Sequence, residues 1–282
     1  MRMSPIIDPV SGEQRLISRL ALGCSRVGSF GNPATPAQSR TLIRAALDLG
    51  VNVFDTADIY GQGDSEREIG RALKGRRDEA FVVTKFGKTF SAKMRLVRPF
   101  KPLIKPLLAL RGSGGGGAVT AQRDAVMRED FSAAHLRAAF EASLRRLGMD
   151  HVDAILLHGP QVDIYADPEV VDLLSTLRRE GKARHFGASC DHWDEIHAAL
   201  ALPQLTMLQL PHDLIERASR DEVGRVIARR GVAVMAREVI RLQPTLSPVM
   251  AFAAAAARTD VAMVVAGTGR LDHLVELAKV CA

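Results

Sequence analysis

The feature of this 282-residue chain that most restricts its fold is a regular alternation of short apolar runs with amphipathic stretches. The runs are rich in Val, Ile, Leu and Ala, which is typical of parallel strands buried on both faces. They cover 20–24, 51–55, 81–85, 152–158, 183–188, 206–210, 232–236 and 261–266. The stretches between them predict helices after Thr35, Ser65 and Ser132 and over 168–180, 192–200, 219–230, 248–257 and 271–280.

Eight strand–helix units in strict alternation predict a parallel sheet with right-handed crossovers. Eight such units close naturally into a (β/α)8 TIM barrel of about 250 residues. The 44 residues of segment 88–131 leave 238 of the 282, so an α/β barrel with a long insert after strand 3 fits one domain over 1–282. A doubly wound sheet is the alternative, but its GxGxxG fingerprint follows none of the strands. Apolar residues on both sides of 9–12 predict an N-terminal β-hairpin that plugs the barrel floor.

The positive charge of the chain is concentrated in the insert. The formal net charge is +6, and residues 88–111 carry +7 with no acidic residue, so the remainder sums to −1. Nucleic-acid-binding domains usually spread Lys and Arg over a whole face, so we expect no nucleic-acid partner. Three interpretations of insert 88–131 are open. It is a lid that offers cations to an anionic substrate or to cofactor phosphates, an inert loop, or, least favoured, a contact with a membrane or an acidic partner.

The cysteines and the N-terminus indicate a cytoplasmic protein. Cys24, Cys190 and Cys281 are odd in number and form no CxxC pair, which favours a reducing compartment. The N-terminus lacks the apolar core of a signal peptide, and the longest apolar run, 249–257, is too short to span a bilayer. No His or Cys cluster has metal-ligand spacing, so no metal site is expected.

Four ionisable residues mark the carboxyl ends of three consecutive predicted strands, where the chemistry of such barrels lies. Asp55 ends the second strand and Tyr60 follows five residues later. Lys85 ends the third strand and His158 ends the fourth. Each alone has an ordinary explanation, such as a turn cap for Asp55 or a core histidine for His158. Their convergence on one rim is rarer, and it predicts a catalytic group.

The strings around these residues resemble the aldo-keto reductase superfamily. They are FDTADIYGQGDSEREIG at 54–70, VVTKFG at 82–87, SLRRLGMDHVDAILLH at 143–158 and GKARHFGASC at 181–190. The resemblance runs from about Arg19 to Val280. It implies an oxidoreductase that transfers a hydride between a nicotinamide cofactor, usually NADP(H), and the carbonyl or alcohol carbon of a small aldehyde, ketone or sugar.

The resemblance also implies that Asp55, Tyr60, Lys85 and His158 form the catalytic tetrad. Tyr60 would give a proton to the carbonyl oxygen. A phenol in water releases its proton only near pH 10, and a neighbouring ammonium favours the phenolate. Lys85 would supply that ammonium, Asp55 would keep it charged and oriented, and His158 would hydrogen-bond the carbonyl oxygen.

Cofactor-binding positions follow from the same resemblance. Ser189 and Gln209 match residues that hold the nicotinamide carboxamide, although Cys190 replaces the Asn that usually follows the Ser. Arg237 stands where many members stack a Tyr on the nicotinamide ring, and a planar guanidinium can stack as well. Glu238 replaces a frequent Ser, so the expected pyrophosphate loop is altered.

The adenosine end of the cofactor is assigned to the last strand–helix unit. Gly267, Thr268 and Arg270 resemble the loop that grips the adenosine phosphate, and Glu276 matches an adenine contact. Arg270 at a helix N-terminus fits the 2′-phosphate, which favours NADP(H) over NAD(H). The remaining cofactor positions, Gly23 and Cys24, lie at the end of strand 1. By position, the substrate pocket would be lined by Cys24, Ser25, Arg26, Ile59, Phe86, Gly159 and Pro160.

Two other functions stay open. One is an NAD(P)-dependent alcohol or sugar dehydrogenase that works in the oxidative direction. The other is a cofactor-bound, non-catalytic redox sensor, as in the potassium-channel β subunits that resemble this family. The complete tetrad favours an enzyme. We expect a small-molecule substrate and a monomer or weak homo-oligomer.

Overall fold

The computed structural model describes residues 1–9, 11–29, 32–90 and 127–281. The strands are β1 (Met3–Ile7), β2 (Gln14–Ser18), β3 (Leu20–Gly23), β4 (Val53–Asp55), β5 (Phe81–Phe86), β6 (Lys88–Phe90), β7 (Met127–Glu129), β8 (Val152–His158), β9 (Ala183–Ser189), β10 (Leu205–Pro211), β11 (Ala233–Arg237) and β12 (Met263–Ala266). The helices are α1 (Pro36–Asp48), α2 (Asp64–Ala72), α3 (Ala133–Leu147), α4 (Pro168–Arg179), α5 (Trp193–Ala199), α6 (His212–Ala218), α7 (Glu222–Arg229), α8 (Pro248–Ala257) and α9 (Leu271–Val280).

Eight parallel strands form a closed barrel in the order β3–β4–β5–β8–β9–β10–β11–β12, and β12 pairs with β3 to close it. Every barrel strand leads into a helix, and the strands carry Val, Leu, Phe and Ala that are buried on both faces. The predicted (β/α)8 barrel is therefore confirmed. Because all eight strands run the same way, their carboxyl ends form one rim.

The N-terminal hairpin of β1 and β2 closes the opposite end of the barrel. Ile6 and Ile17 are 5% and 0% exposed, and they belong to the same apolar cluster as the interior residue Phe81. Arg15 of the hairpin forms an ion pair with the fully buried Asp153 at the start of β8. The predicted floor plug is confirmed, and a charged contact holds it in addition to apolar packing.

Capping residues and glycines determine where helices begin and how closely they pack. Thr35 caps α1, accepting from the backbone N–H of Gln38 at 3.2 Å, with Pro36 at the first helical position. Helices α2 and α3 approach so closely that a Cβ on Gly70 would lie 1.9 Å from the carbonyl oxygen of Leu147. Only glycine fits at that crossing.

Two helix predictions differ from the structure. Helix α2 begins at Asp64, one residue earlier than expected, because Gly63 before it takes a left-handed conformation with φ of 85°. The predicted helix 219–230 is instead α7, and a further helix, α6, precedes it. Asp221 starts α7 by accepting from Val223 N–H at 3.1 Å, which separates it from α6. Most strand bounds shift by one or two residues.

The insert begins and ends as a short antiparallel hairpin. Lys88 of β6 pairs with Glu129 of β7. Residues 91–126 lie outside the described part of the chain, and so does most of the predicted lid or loop. None of the helices in the described ranges is long and apolar enough to cross a membrane.

Candidate active site

A buried ion pair lies at the carboxyl ends of β4 and β5. The Nζ atom of Lys85 is 2.5 Å from Oδ1 of Asp55 and donates to the carbonyl oxygen of Thr56 at 2.9 Å. Lys85 is 0% exposed and Asp55 is 5% exposed. Strand β4 pairs in parallel with β5, with Asp55 opposite Val83, so the long side chain of Lys85 two residues further on can contact the carboxylate. Because both charges are removed from water, the pair is stabilised only by the close contact between the two groups and by further hydrogen bonds.

The ammonium form of Lys85 is favoured despite its burial. Burial alone would lower the pKa of this lysine, since it removes water from the charged form. The negative charge of Asp55, together with hydrogen bonds to Asp55 and Tyr60, outweighs burial, so the pKa of Lys85 is raised above 10.5. The site therefore contains a permanent cation at neutral pH.

Tyr60 lies beside this cation in a tight turn. The turn spans Tyr60–Gly63, and Gly61 and Gln62 both have a left-handed backbone, with φ of 58° and 59°. A Cβ on Gly61 would lie 2.7 Å from the carbonyl oxygen of Val27, so this glycine allows the close approach of the loop after β3. The Nζ atom of Lys85 lies 5.1 Å from the centre of the Tyr60 ring.

His158 completes the group at the end of β8. Its ring meets the Tyr60 ring edge-on, with centroids 5.9 Å apart and planes at 89°. The structure thus brings together all four residues predicted as the tetrad. A proton donor, a cation that polarises it and a second ring with hydrogen-bonding nitrogens surround one point of the rim, which suits general acid–base chemistry on an oxygen atom.

A second polar pair continues along the rim from His158. In the sheet register His158 is opposite Ser189, and Ser189 is opposite Gln209. The hydroxyl of Ser189 donates to Oε1 of Gln209 at 3.1 Å, and both side chains are buried. The amide nitrogen of Gln209 faces the sulfur of Met235 at 2.8 Å, a weak acceptor. These groups fit a carboxamide, which has both a donor and an acceptor to satisfy.

Arg237, at the end of β11, is held across the rim. Its guanidinium donates to the carbonyl oxygen of Cys190 at 2.8 Å and forms ion pairs with Asp191 and Glu238. The buried Nε of Arg237 has no hydrogen-bond partner among the described residues. Glu238 has a left-handed backbone with φ of 61°, uncommon for a residue with a side chain. An orphaned donor beside the Ser189–Gln209 pair fits a ligand that carries acceptors.

The predicted adenosine loop lies at the start of α9. Arg270 is exposed and pairs with Asp272 through Nε–Oδ1 at 3.0 Å. The hydrogen bond from Arg270 lowers the pKa of Asp272 to about 2. A Cβ on Gly267 would meet no atom within 4 Å, so the loop is open on this side. Thr268 Oγ1 accepts from the Arg270 N–H, and Glu276 is exposed on α9.

The cofactor residues predicted at the end of the first barrel strand lie deeper than the rim surface. A Cβ on Gly23 would lie 2.7 Å from Cγ1 of Val265, so barrel packing already requires this glycine. Cys24 is fully buried, and burial, followed by the charge of Asp55, raises the pKa of its thiol. Phe86 was expected in the pocket but faces away from it, because it packs against Phe140 of α3 with ring centroids 6.1 Å apart.

A buried charge network behind the tetrad was not predicted. Glu66 is 0% exposed and accepts from Thr84, the residue before Lys85, at 2.7 Å. Its other oxygen accepts from Nε of Arg146 on α3 at 2.5 Å. In the sequence Glu66 resembles an ordinary acid in the first turn of a helix, so only the packing of α2 on α3 reveals its burial. The described residues contain no cluster of three or more His, Cys, Asp or Glu that could hold a metal ion.

Comparison with known proteins gives one family. Residues 19–243 match a family model described as the aldo/keto reductase family. The NADH-specific methylglyoxal reductase of Escherichia coli (strain K12) is 28% identical over 234 residues, which are 80% of this chain and 64% of that protein. The chain thus spans less than two thirds of the length of this relative.

Solved structures agree in fold. A putative aldo-keto reductase from Pseudomonas aeruginosa has a TM-score of 0.72 at 26% identity, covering 99% of this chain and 95% of the other. An aldo/keto reductase from Klebsiella pneumoniae, solved in complex with NADP and acetate, has a TM-score of 0.67 at 21% identity and covers 98% and 90%. The second likeness concerns the fold alone.

Proposed function

The chain belongs to the aldo/keto reductase family, and from this premise we propose that it is an oxidoreductase that transfers a hydride between NADP(H) and the carbonyl or alcohol carbon of a small aldehyde, ketone or sugar. The observation that carries the proposal is the buried Lys85–Asp55 pair beside Tyr60, with the ring of His158 edge-on to the phenol. This arrangement polarises a proton donor at one point.

The protein's own contribution to the reaction is proton transfer and positioning. When bound, the nicotinamide supplies the hydride to the carbonyl carbon. The hydroxyl of Tyr60 donates its proton to the carbonyl oxygen as negative charge develops there. The ammonium of Lys85 stabilises the phenolate that remains, and Asp55 keeps that ammonium charged. His158 donates a hydrogen bond to the same oxygen and fixes the carbonyl for attack.

The cofactor would be held along the rim and at α9. Ser189 and Gln209 would bind the carboxamide, for which their buried hydroxyl and amide are already aligned. Arg237 would lie against the nicotinamide half, and the loop 267–270 with Glu276 would hold the adenosine half. We propose a preference for NADPH, supported by the exposed guanidinium of Arg270 at the start of α9.

Fluorescence titration with NADPH and NADH tests this preference. Wild type is expected to bind NADPH more tightly, and Arg270→Met is expected to weaken NADPH binding about tenfold with little change for NADH, the scale of one charge-assisted hydrogen bond. Equal affinities in wild type, or equal losses in the variant, would remove Arg270 from the cofactor site. The NADH specificity stated for the Escherichia coli relative makes this comparison necessary.

Tyr60→Phe tests the reaction itself. The variant should reduce aldehydes at least about 100-fold more slowly, the scale of lost general acid catalysis, while it still binds cofactor. Equal turnover by wild type and variant would contradict the role of Tyr60 as the proton donor. A wild type that binds cofactor tightly but turns over no aldehyde, ketone or sugar would favour the redox-sensor alternative.

A further inference from the structure

Lys88 places a positive charge next to the tetrad. It is the first residue of β6, three residues after Lys85. Its Nζ atom lies 3.3 Å from the point that a Cβ on Gly159 would occupy, and Gly159 directly follows His158. Gly159 has a left-handed backbone with φ of 60° and donates its N–H to the carbonyl oxygen of Ser189 at 2.9 Å. The ammonium of Lys88 therefore lies against the space that a side chain at 159, the position after His158, would fill.

No described carboxylate neutralises this ammonium. Among the described residues, no ion pair with an N···O distance of 4.0 Å or less includes Lys88. Two acids are neighbours: Asp191, whose Oδ2 lies 3.3 Å from the same point beside Gly159, and Glu129, which is opposite Lys88 on β7. The other oxygen of Asp191 already pairs with Arg237. Lys88 is also only partly exposed, so it has lost part of its water without forming a direct ion pair with a described carboxylate.

We infer that Lys88 anchors an anionic group of the carbonyl substrate, so that the enzyme takes oxo acids or aldehyde acids in preference to neutral carbonyl compounds. The inference rests on the proposed function, which puts the reacting oxygen between Tyr60 and His158. Since Gly159 directly follows His158, we expect Lys88 to reach a carboxylate that lies a few carbons away from that oxygen. A phosphate ester at the same distance would satisfy the same ammonium, since lysine binds anions as a point charge.

A substrate pair that differs only in charge tests the anchor. Succinic semialdehyde and its methyl ester have the same reacting aldehyde, and only the first has a carboxylate. We expect wild type to favour the acid over the ester in kcat/KM. Lys88→Met should reduce kcat/KM for the acid by about 10- to 100-fold, mainly through KM, and should reduce the acid-to-ester ratio by a similar factor. Lys88→Arg, which keeps the charge, should retain part of the preference.

Lys74→Met is the matched control. Lys74 is exposed just after the end of α2, outside the rim, and its loss removes the same charge from the protein. Its acid-to-ester ratio should equal that of wild type. An acid-to-ester ratio that is the same in Lys88→Met as in wild type overturns the anchor, as does a wild type that prefers the ester. A phosphorylated aldehyde compared with its dephosphorylated parent then shows which anion the ammonium prefers.

Two further outcomes separate this inference from its premise. If wild type reduces neither succinic semialdehyde nor its ester nor any neutral aldehyde with NADPH or NADH, the proposed function fails. If it reduces both compounds and Lys88→Met lowers both rates equally while it weakens NADPH binding tenfold, the proposed function holds and Lys88 belongs to the cofactor site instead. In that case the anchor is overturned.

Discussion

Replacing Asp55 by Asn should reveal how strongly the buried pair is coupled. The substitution keeps the side-chain volume but leaves Lys85, which is 0% exposed, without a counter-charge. Lys85 then retains its hydrogen bond to the carbonyl oxygen of Thr56, at 2.9 Å, and its interaction with Tyr60. Breaking a buried pair from one side typically lowers the free energy of unfolding by about 3–5 kcal/mol. Since neither group is screened by water, no discount for exposure applies.

The loss of unfolding free energy in Asp55→Asn should also become smaller as pH rises. In wild type the pKa of Lys85 is raised above the 10.5 of an ordinary lysine, so its stabilising contribution is complete below that value and is lost as pH rises through the folded-state pKa. In Asp55→Asn burial is no longer offset by Asp55, so the pKa of Lys85 falls. Between this lowered folded-state pKa and the pKa of lysine in the unfolded chain, the folded variant loses the proton first. The free-energy cost of burying the ammonium therefore shrinks as pH rises, and it is gone above the pKa of the unfolded chain. The difference between the two proteins should therefore narrow from about pH 7 to about pH 10.

Urea unfolding followed by circular dichroism measures both effects. Asp48→Asn is the control, because Asp48 is 64% exposed and pairs with Arg76 at 2.6 Å on the surface. That change should cost under about 1 kcal/mol. The double variant Asp55→Asn with Lys85→Met should recover most of the loss, since it removes both charges. A cost for Asp55→Asn that equals the control, or a difference that widens with pH, would refute the reasoning.

Two further predictions concern packing and protonation elsewhere. Gly70→Ala should lower the free energy of unfolding by at least about 2 kcal/mol, despite the higher helix propensity of Ala, because the new Cβ would overlap Leu147. Gly267→Ala, where a Cβ meets nothing within 4 Å, should change it by less than about 0.5 kcal/mol in the same unfolding assay. Burial lowers the pKa of His185 to about 4 from 6.5, so stability should fall as pH drops from about 6.5 towards 4, by about 3 kcal/mol in total. His185→Gln should flatten that slope between about pH 7 and pH 5; an equal slope in both proteins would exclude His185 as its source.

The barrel could be predicted from the sequence because strands buried on both faces leave a continuous apolar signature. The convergence of the candidate catalytic residues could be predicted because Asp55, Lys85 and His158 each end or nearly end such a strand, and parallel register brings strand ends together. The N-terminal hairpin was signalled by apolar residues on both sides of a turn. In each case the information is local and periodic.

Other features depend on side-chain directions that no periodicity encodes. The ion pairs of Arg237 with Asp191 and Glu238 could not be predicted from the sequence, and its stacking on the nicotinamide ring stays a prediction. Glu66 carries a charge on a helix, and its burial appears only once α3 brings Arg146 against it. The separate α6 was missed because the apolar spacing around Asp221 does not show where one helix ends and the next begins.

The closed floor of the barrel also fixes the direction of proton supply. Ile6 and Ile17 seal the lower end, and above them the described interior is lined by apolar side chains such as Phe81 and Met207. That layer offers no string of hydroxyls or carboxylates to carry a proton upward. In the proposed reduction we therefore expect the proton that Tyr60 gives away to be replaced from the rim side and not through the barrel floor. Reprotonation of Tyr60 would then use the same end of the barrel as the exchange of substrate and product.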